Sequence, residues 1–398
     1  MKILFILSTL FRGGAEKTVC SLASKVKENG DEAALLSMHG GGSLLNEIRL
    51  SDVPVFVHRS LPDLVKDVLP KVVHDLANYV NVRRRRHHYT REFRLPERQL
   101  SSASVERWVK NKIESLRPDI VHVHQANCVE ALRWAKECGL RAILYTHHNM
   151  TGEVSSQSEI RLLNDCVPSA DWVTFVSSAQ REDFLSNIVY PGNRTSVIYP
   201  QTAFAGKARK DRPPTPALIL GTMNNLSPVK DPMILLDALA GVRRAGGDVR
   251  LFIAGGDPRW RAVVEEELRN RELHDAVRFF GALETNLQIQ TFYDQIDVYV
   301  STSISESFGL ALKEAMDCGV PVLTSDNKPV RELVDDGKTG LVFHRGNVED
   351  LVTKIKFCLS NPTKLKEIGL EGRAYSQSRF VPSRSWSEYR ALYEQLLK

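Results

Sequence analysis

No Cys-x-x-Cys pair, no Gly-x-Gly-x-x-Gly, no Walker run and no long apolar stretch occurs in this sequence. Each absence removes a class of function. The six cysteines, Cys20, Cys128, Cys138, Cys166, Cys318 and Cys358, are scattered, with no histidines clustered at metal-ligand spacing. That pattern argues against a structural zinc site and for a reducing compartment. Without a glycine fingerprint or a Walker sequence, a dinucleotide-dependent dehydrogenase or a P-loop enzyme is disfavoured. A membrane-spanning helix needs about 18 apolar residues, and no run is that long. The opening MKILFILSTLF is apolar but meets Arg12-Gly13-Gly14 rather than a small-residue cleavage site, so it reads as a first buried strand and not as a signal peptide. A cytoplasmic protein, or one peripheral at the inner face of a membrane, is expected.

What is present is ordinary in bulk and specific in detail. At 398 residues, 42% apolar and 25% charged, the chain is too long for one core and fits two globular domains. Short apolar strands alternate with amphipathic helices throughout, the pattern of parallel α/β sheets. Strands are predicted at 3–8, 32–37, 53–57, 120–123, 142–145, 173–176 and 196–199, and again at 217–221, 250–254, 277–280, 298–301, 320–324 and 340–343. Between the two sets, QTAFAGKARKDRPPTP (201–216) has no periodicity and carries three prolines, so it reads as a linker. The expected domains are therefore 1–200 and 217–380, followed by a C-terminal helix in 381–398. Two such sheets, facing each other across a cleft, would hold ligands at the carboxyl ends of their strands.

The densest chemistry runs from Ser301 to Gly340, STSISESFGLALKEAMDCGVPVLTSDNKPVRELVDDGKTG. Two carboxylates, Glu306 and Glu314, stand with seven residues between them around a Ser307-Phe308-Gly309 turn. A strand leads in, and Leu310 to Asp317 reads as a helix stopped by Gly319 and Pro321. The amides of Phe308, Gly309 and Leu310 then lie at a helix N-terminus, which carries positive partial charge and binds phosphate readily. Glu314 lies on the order of 8 Å further along the axis. One carboxylate can face a sugar and the other a ribose, with a diphosphate between.

This segment resembles the E-x7-E region of the family-4 retaining glycosyltransferases, which have the GT-B fold of two Rossmann-like domains. The resemblance implies that Glu306 and the following groups of Ser307, Phe308, Gly309 and Leu310 hold the donor sugar, and that Glu314 binds the ribose hydroxyls. It makes Gly13 and Gly14, between the first strand and helix, a loop touching donor phosphate and acceptor. GTMNNLSPVKDP (221–232) is similar to the family's Gly-Arg-Leu-x-x-x-Lys stretch: the lysine is Lys230, suited to a diphosphate leaving group, but Asn225 stands where the arginine is usual. In Thr146-His147-His148-Asn149, His148 fits the family's active-site histidine better than His147. Gly281 to Leu283 fall where the nucleobase loop belongs, and the last helix should cross back onto the first, acceptor-side domain. VIYPQTAF at the end of the first domain departs from the family, which usually shows Asn-Gly and an acidic residue there.

No Asp-x-Asp triplet occurs, so the carboxylate pair that would hold a divalent ion on the diphosphate is missing. Helix amides and Lys230 would replace it, and metal-independent catalysis with no cofactor is expected. The donor class implied is a nucleotide-diphosphate sugar, a UDP-sugar foremost, and the acceptor a hydroxyl on a glycan, lipid or small glycoside. From Arg83 to Arg98 seven arginines face two glutamates, an excess equal to the chain's whole formal charge of +5. The patch, with Arg83, Arg84, Arg85 and Arg86 at its head, is either a solvated run or attracts an anionic acceptor or membrane surface. No nucleic-acid-binding module accompanies it. Rival readings are a sugar-nucleotide epimerase of GT-B architecture and a catalytically weak nucleotide-sugar-binding subunit, the latter favoured by Asn225.

Overall fold

A computed structural model describes residues 1–11, 13–42, 44, 48, 51–58, 103–201, 204–209 and 216–398. The expectations for Arg12, for the basic segment 83–98, and for residues 202–203 and 210–215 of the linker stretch fall outside the described residues. The chain divides into two compact units, Met1–Ala203 with Pro382–Lys398, and Phe204–Val381.

The first unit holds a seven-stranded sheet, with strands β1 (Lys2–Leu7), β2 (Glu32–Ser37), β3 (Val55–Val57), β4 (Ile120–His124), β5 (Ile143–His147), β6 (Trp172–Phe175) and β7 (Thr195–Val197). Their spatial order is β3-β2-β1-β4-β5-β6-β7 and every pairing is parallel. The second unit holds β8 (Leu218–Asn224), β9 (Val249–Gly255), β10 (Val277–Gly281), β11 (Val298–Ser301), β12 (Val322–Ser325) and β13 (Leu341–Phe343), ordered β10-β9-β8-β11-β12-β13 and again parallel. This is the doubly wound arrangement of two Rossmann-like domains. All thirteen strands fall where the apolar runs predict them. The third is shorter, starting after Pro54, whose carbonyl accepts from Leu35 but which has no N–H for the ladder.

Strands such as KILFIL and ILYTH are buried almost throughout, because a parallel sheet is covered on both faces. The covering helices bury one stripe each. In Gly14–Glu28 that stripe is Thr18, Val19, Leu22, Ala23 and Val26, spaced by three and four. Thr285 and Gln288 close a reciprocal capping box on Asn286–Gln295. The last helix, Pro382–Leu396, buries Tyr389, Leu392 and Tyr393 among Ile3, Phe5, Leu7 and Val19 of the first unit.

In both sheets the chain reverses its strand order once, between β1 and β4 and between β8 and β11. Loops leaving the carboxyl ends of such a strand pair diverge to opposite faces and open a crevice. Lys230, Asn225 and Glu306 of the second unit lie at its reversal, and Gly13 and Gly14 of the first unit follow β1, whereas Gly281 and Leu283 lie at the end of the edge strand β10.

Candidate active site

In the second unit, β8 runs into Asn225-Leu226-Ser227 and a short 3-10 turn, Pro228–Lys230, before the helix Pro232–Arg244. β11 runs into the loop carrying Glu306. The two loops are stitched together. Thr302 Oγ1 donates to the carbonyls of Lys230 (2.8 Å) and Asp231 (2.9 Å), and the Ile304 amide donates to Val229 (2.7 Å). That stitching brings Lys230 Nζ to 2.7 Å from Glu306 Oε1, with both side chains about one-fifth exposed. Ser303 Oγ donates to the same oxygen at 2.8 Å. Below it, Ser325 Oγ and Asn327 Nδ2 hold the Ser303 carbonyl at 2.6 and 3.5 Å, and Arg345 Nη1 holds that of Ile304 at 2.6 Å.

The turn after Glu306 is shaped by two residues. Phe308 is buried, edge-on to Phe380 with ring centres 5.4 Å apart, which anchors the turn to the unit. Gly309 takes φ +98° at the cap of Leu310–Asp317, a region that side-chain-bearing residues rarely enter. Having no side chain, it caps none of the first-turn amides, which is what an anion site at a helix start requires. A Cβ here would meet nothing closer than 3.5 Å, so the obstacle to substitution is backbone strain. Gly309→Ala should therefore cost about 1–2 kcal/mol in urea unfolding, and weaken anion binding as the turn relaxes. Glu314, one turn on, is buried. Beside it Lys313 and Asp317 form a buried pair at 2.6 Å, joined by Ser376 Oγ on Asp317.

Asn225 is accounted for by turn chemistry. Its Oδ1 accepts from the Ser227 amide at 3.1 Å while Leu226 sits at φ +59°, and Asn224 Oδ1 accepts from Leu226 at 2.7 Å. An arginine could not make that bond. Asp231, at φ +41°, caps the next helix and is buried, which pushes its carboxyl up to about 7. Gly281 and Leu283 stand apart from this cluster, at the end of β10, with Gly281 at φ +71°.

In the first unit, Gly13 is the N-cap and Gly14 the first residue of the helix that follows β1, and Gly13 leaves room for Glu16, whose Oε2 a Cβ there would strike at 2.3 Å. Gln125, at φ +68° after β4, donates through Nε2 to Glu16 Oε1 (2.6 Å), and burial pushes the Glu16 carboxyl up. Four buried histidines follow. His147 is consumed internally, Nδ1 by Tyr145 OH (2.9 Å) and Nε2 by Thr151 Oγ1 (3.0 Å). His148 is 9% exposed and bonds His124 through Nε2 at 3.1 Å. His122 lies 3.9 Å from the His124 ring and bridges Tyr393 OH (2.9 Å) and Thr146 Oγ1 (2.7 Å). Burial lowers all four: His147 to about 3, His148 to about 4, His122 and His124 well below the usual range.

Residues 206–375 match the model for Glycosyl transferases group 1, and residues 12–200 match that for Glycosyltransferase Family 4. The chain belongs to the GT-B glycosyltransferases. The phosphatidyl-myo-inositol mannosyltransferase of Mycobacterium leprae is 29% identical over 69% of this glycosyltransferase and 73% of its own length. A GDP-mannose-dependent alpha-(1-6)-phosphatidylinositol monomannoside mannosyltransferase of Mycolicibacterium smegmatis is 27% identical over 61% and 67%. Among solved structures, Anabaena HepE in complex with UDP and glucose superposes with a TM-score of 0.78 at 20% identity, covering 99% of this chain and 100% of that one. A sucrose-phosphate synthase from Thermosynechococcus elongatus gives 0.76 at 18%, covering 100% and 99%. These last two share the fold.

The sequence singled out neither Ser303, Ser325 and Asn327 around Glu306 nor His122, His124 and Gln125. The only trace of the first group is the S-x-S-x-S-x-S run from 301 to 307, and of the second the Val-His alternation of β4, which sets both histidines on one face.

Proposed function

We propose that this glycosyltransferase is a retaining enzyme that moves a sugar from a nucleotide-diphosphate donor to a hydroxyl of a glycan or lipid-linked acceptor. The observation that carries the reading is the Lys230–Glu306 pair at 2.7 Å, set where the strand order reverses and one turn before an uncapped helix start. Lys230 supplies fixed positive charge for the departing diphosphate, and the amides from Phe308 to Leu310 supply directional donors beside it. Glu306 is the carboxylate for the sugar hydroxyls, and Glu314 the one for the ribose. The bond from the anomeric carbon to the phosphate oxygen breaks as that to the acceptor oxygen forms on the same face. The acceptor's proton leaves to the departing phosphate.

The lysine and the helix amides do the work that an Asp-x-Asp-bound ion does elsewhere, so donor binding is proposed to need no metal. A UDP-sugar is the first expectation for the donor. GDP-mannose is the named donor of the Mycolicibacterium relative, which, like the Mycobacterium one, is named for a phosphatidylinositol acceptor. An inert nucleotide-binding subunit is the less favoured reading, since Asn225 has a turn-forming role and Lys230, Glu306 and Glu314 are all in place. The test is a titration of UDP-, GDP- and ADP-sugars in EDTA against wild type and Glu314→Ala. Saturable binding of one of them, lost in the variant and unchanged by added magnesium, is the expected result. No binding by any would sink the reading.

A further inference from the structure

His148 and His124 share one hydrogen bond, 3.1 Å from Nε2 of the first to Nδ1 of the second, and the direction of that bond has chemical consequences. Both rings are held neutral by burial, so each carries one proton. Among the described residues nothing bonds Nε2 of His124, which is fully buried between the His122 and Phe5 rings. If His148 supplied the shared proton, His124 would have to carry its own on that Nε2. The result would be a buried N–H with no acceptor. If His124 supplies it, Nε2 is a bare acceptor instead, the less costly of the two orphans.

We infer that His124 fixes the tautomer of His148, donating Nδ1–H to its Nε2, so that His148 presents Nδ1–H as a hydrogen-bond donor toward a ligand oxygen. Its acceptor lone pair is occupied, so His148 binds a sugar hydroxyl or phosphate oxygen and does not remove a proton from the acceptor hydroxyl. No described residue bonds Nδ1 of His148, and that side chain keeps the last exposed surface of the four histidines. His124 acts only through His148 and is a positioning residue. The ligand-facing role rests on the glycosyl-transfer reading, whereas the tautomer itself does not.

Two-bond nitrogen–proton correlation spectra of the full chain labelled with 15N-histidine separate protonated from bare ring nitrogens. His148→Asn and His124→Asn assign the two rings by the signals they remove. Protonated Nδ1 with bare Nε2 on both rings from pH 8 to 6 is the expected result. A protonated Nε2 on either, or tautomer averaging, would overturn the inference. In kinetics with the sugar nucleotide found by titration, His124→Leu should lower kcat about tenfold with little change in KM. His124→Asn, whose amide nitrogen stands near the place of Nδ1, should restore most of it. Full activity in the leucine variant would also overturn the inference. Absence of any transfer by the wild type would remove the proposed function and leave the tautomer to the spectra.

Discussion

Lys230→Ala should lower kcat for sugar transfer about 10²–10³-fold, the usual loss when one preorganised group facing developing negative charge is removed. The expectation is at the high end because its loop holds no substitute. From Asn224 to Asp231 Lys230 is the only cationic side chain, and Asn225 spends its carbonyl on the Ser227 amide. KM for the donor should change much less than kcat, since the charge that lysine meets grows mainly as the glycosidic bond breaks. Lys230→Arg should recover only part of the loss, because a planar fork does not replace a compact ammonium that meets Glu306 at 2.7 Å. The fold should survive, as Glu306 is partly exposed and keeps Ser303. Steady-state nucleotide release, with circular dichroism as the control, decides it. Activity within threefold of wild type would remove Lys230 from the chemistry.

Acid should unfold the first unit early. Unfolded histidines titrate near 6.5, whereas His147 and His148 are lowered to about 3 and about 4 and His122 and His124 are lowered well below the usual range. Above 6.5 neither state is charged and these groups leave stability unchanged. Below it the unfolded chain takes up protons that the folded unit refuses, so stability falls as pH drops from 6.5 toward 4. The slope is about 1.4 kcal/mol per pH unit for each histidine, and four acting together make it steep. Glu16, raised by burial, opposes with a single carboxyl. Asp231, raised to about 7, moves the second unit the other way, toward greater stability as pH falls below 7. Calorimetry between pH 7 and 5 should show the transition of the first unit moving down while that of the second holds or rises. A first-unit transition that stays level over that range would mean the histidines bind protons while folded.

The strands were legible because parallel sheets, covered on both faces, write themselves as short uninterrupted apolar runs. The pair of carboxylates and the helix start between them were legible because their spacing is local. What joins Lys230 to Glu306 was not, since it runs through Thr302 and Ile304 and depends on two loops, with Lys230 and Glu306 lying 76 residues apart, meeting where the strand order turns. Lys313 and Asp317 read as the polar side of a short helix. They are buried because Ser376 and Arg373, on the helix Pro362–Arg379, reach Asp317. Two members of the histidine cluster, His122 and His124, escaped notice for the same reason. His122 and His124 look like the solvent face of an alternating strand until Tyr389 and Tyr393 from the other end of the chain pack on His122, and the His122, Phe5 and His148 rings close around His124.

That covering helix sets an order of events during synthesis. The first unit's core includes Tyr389, Leu392 and Tyr393, which leave the ribosome only after all of Phe204–Val381. The second unit has its whole sequence available and can fold as a unit while the first still waits for its last wall. Until then Ile3, Phe5 and Leu7 lack part of their cover, and the nascent chain carries an unfinished apolar surface for the chaperones it meets.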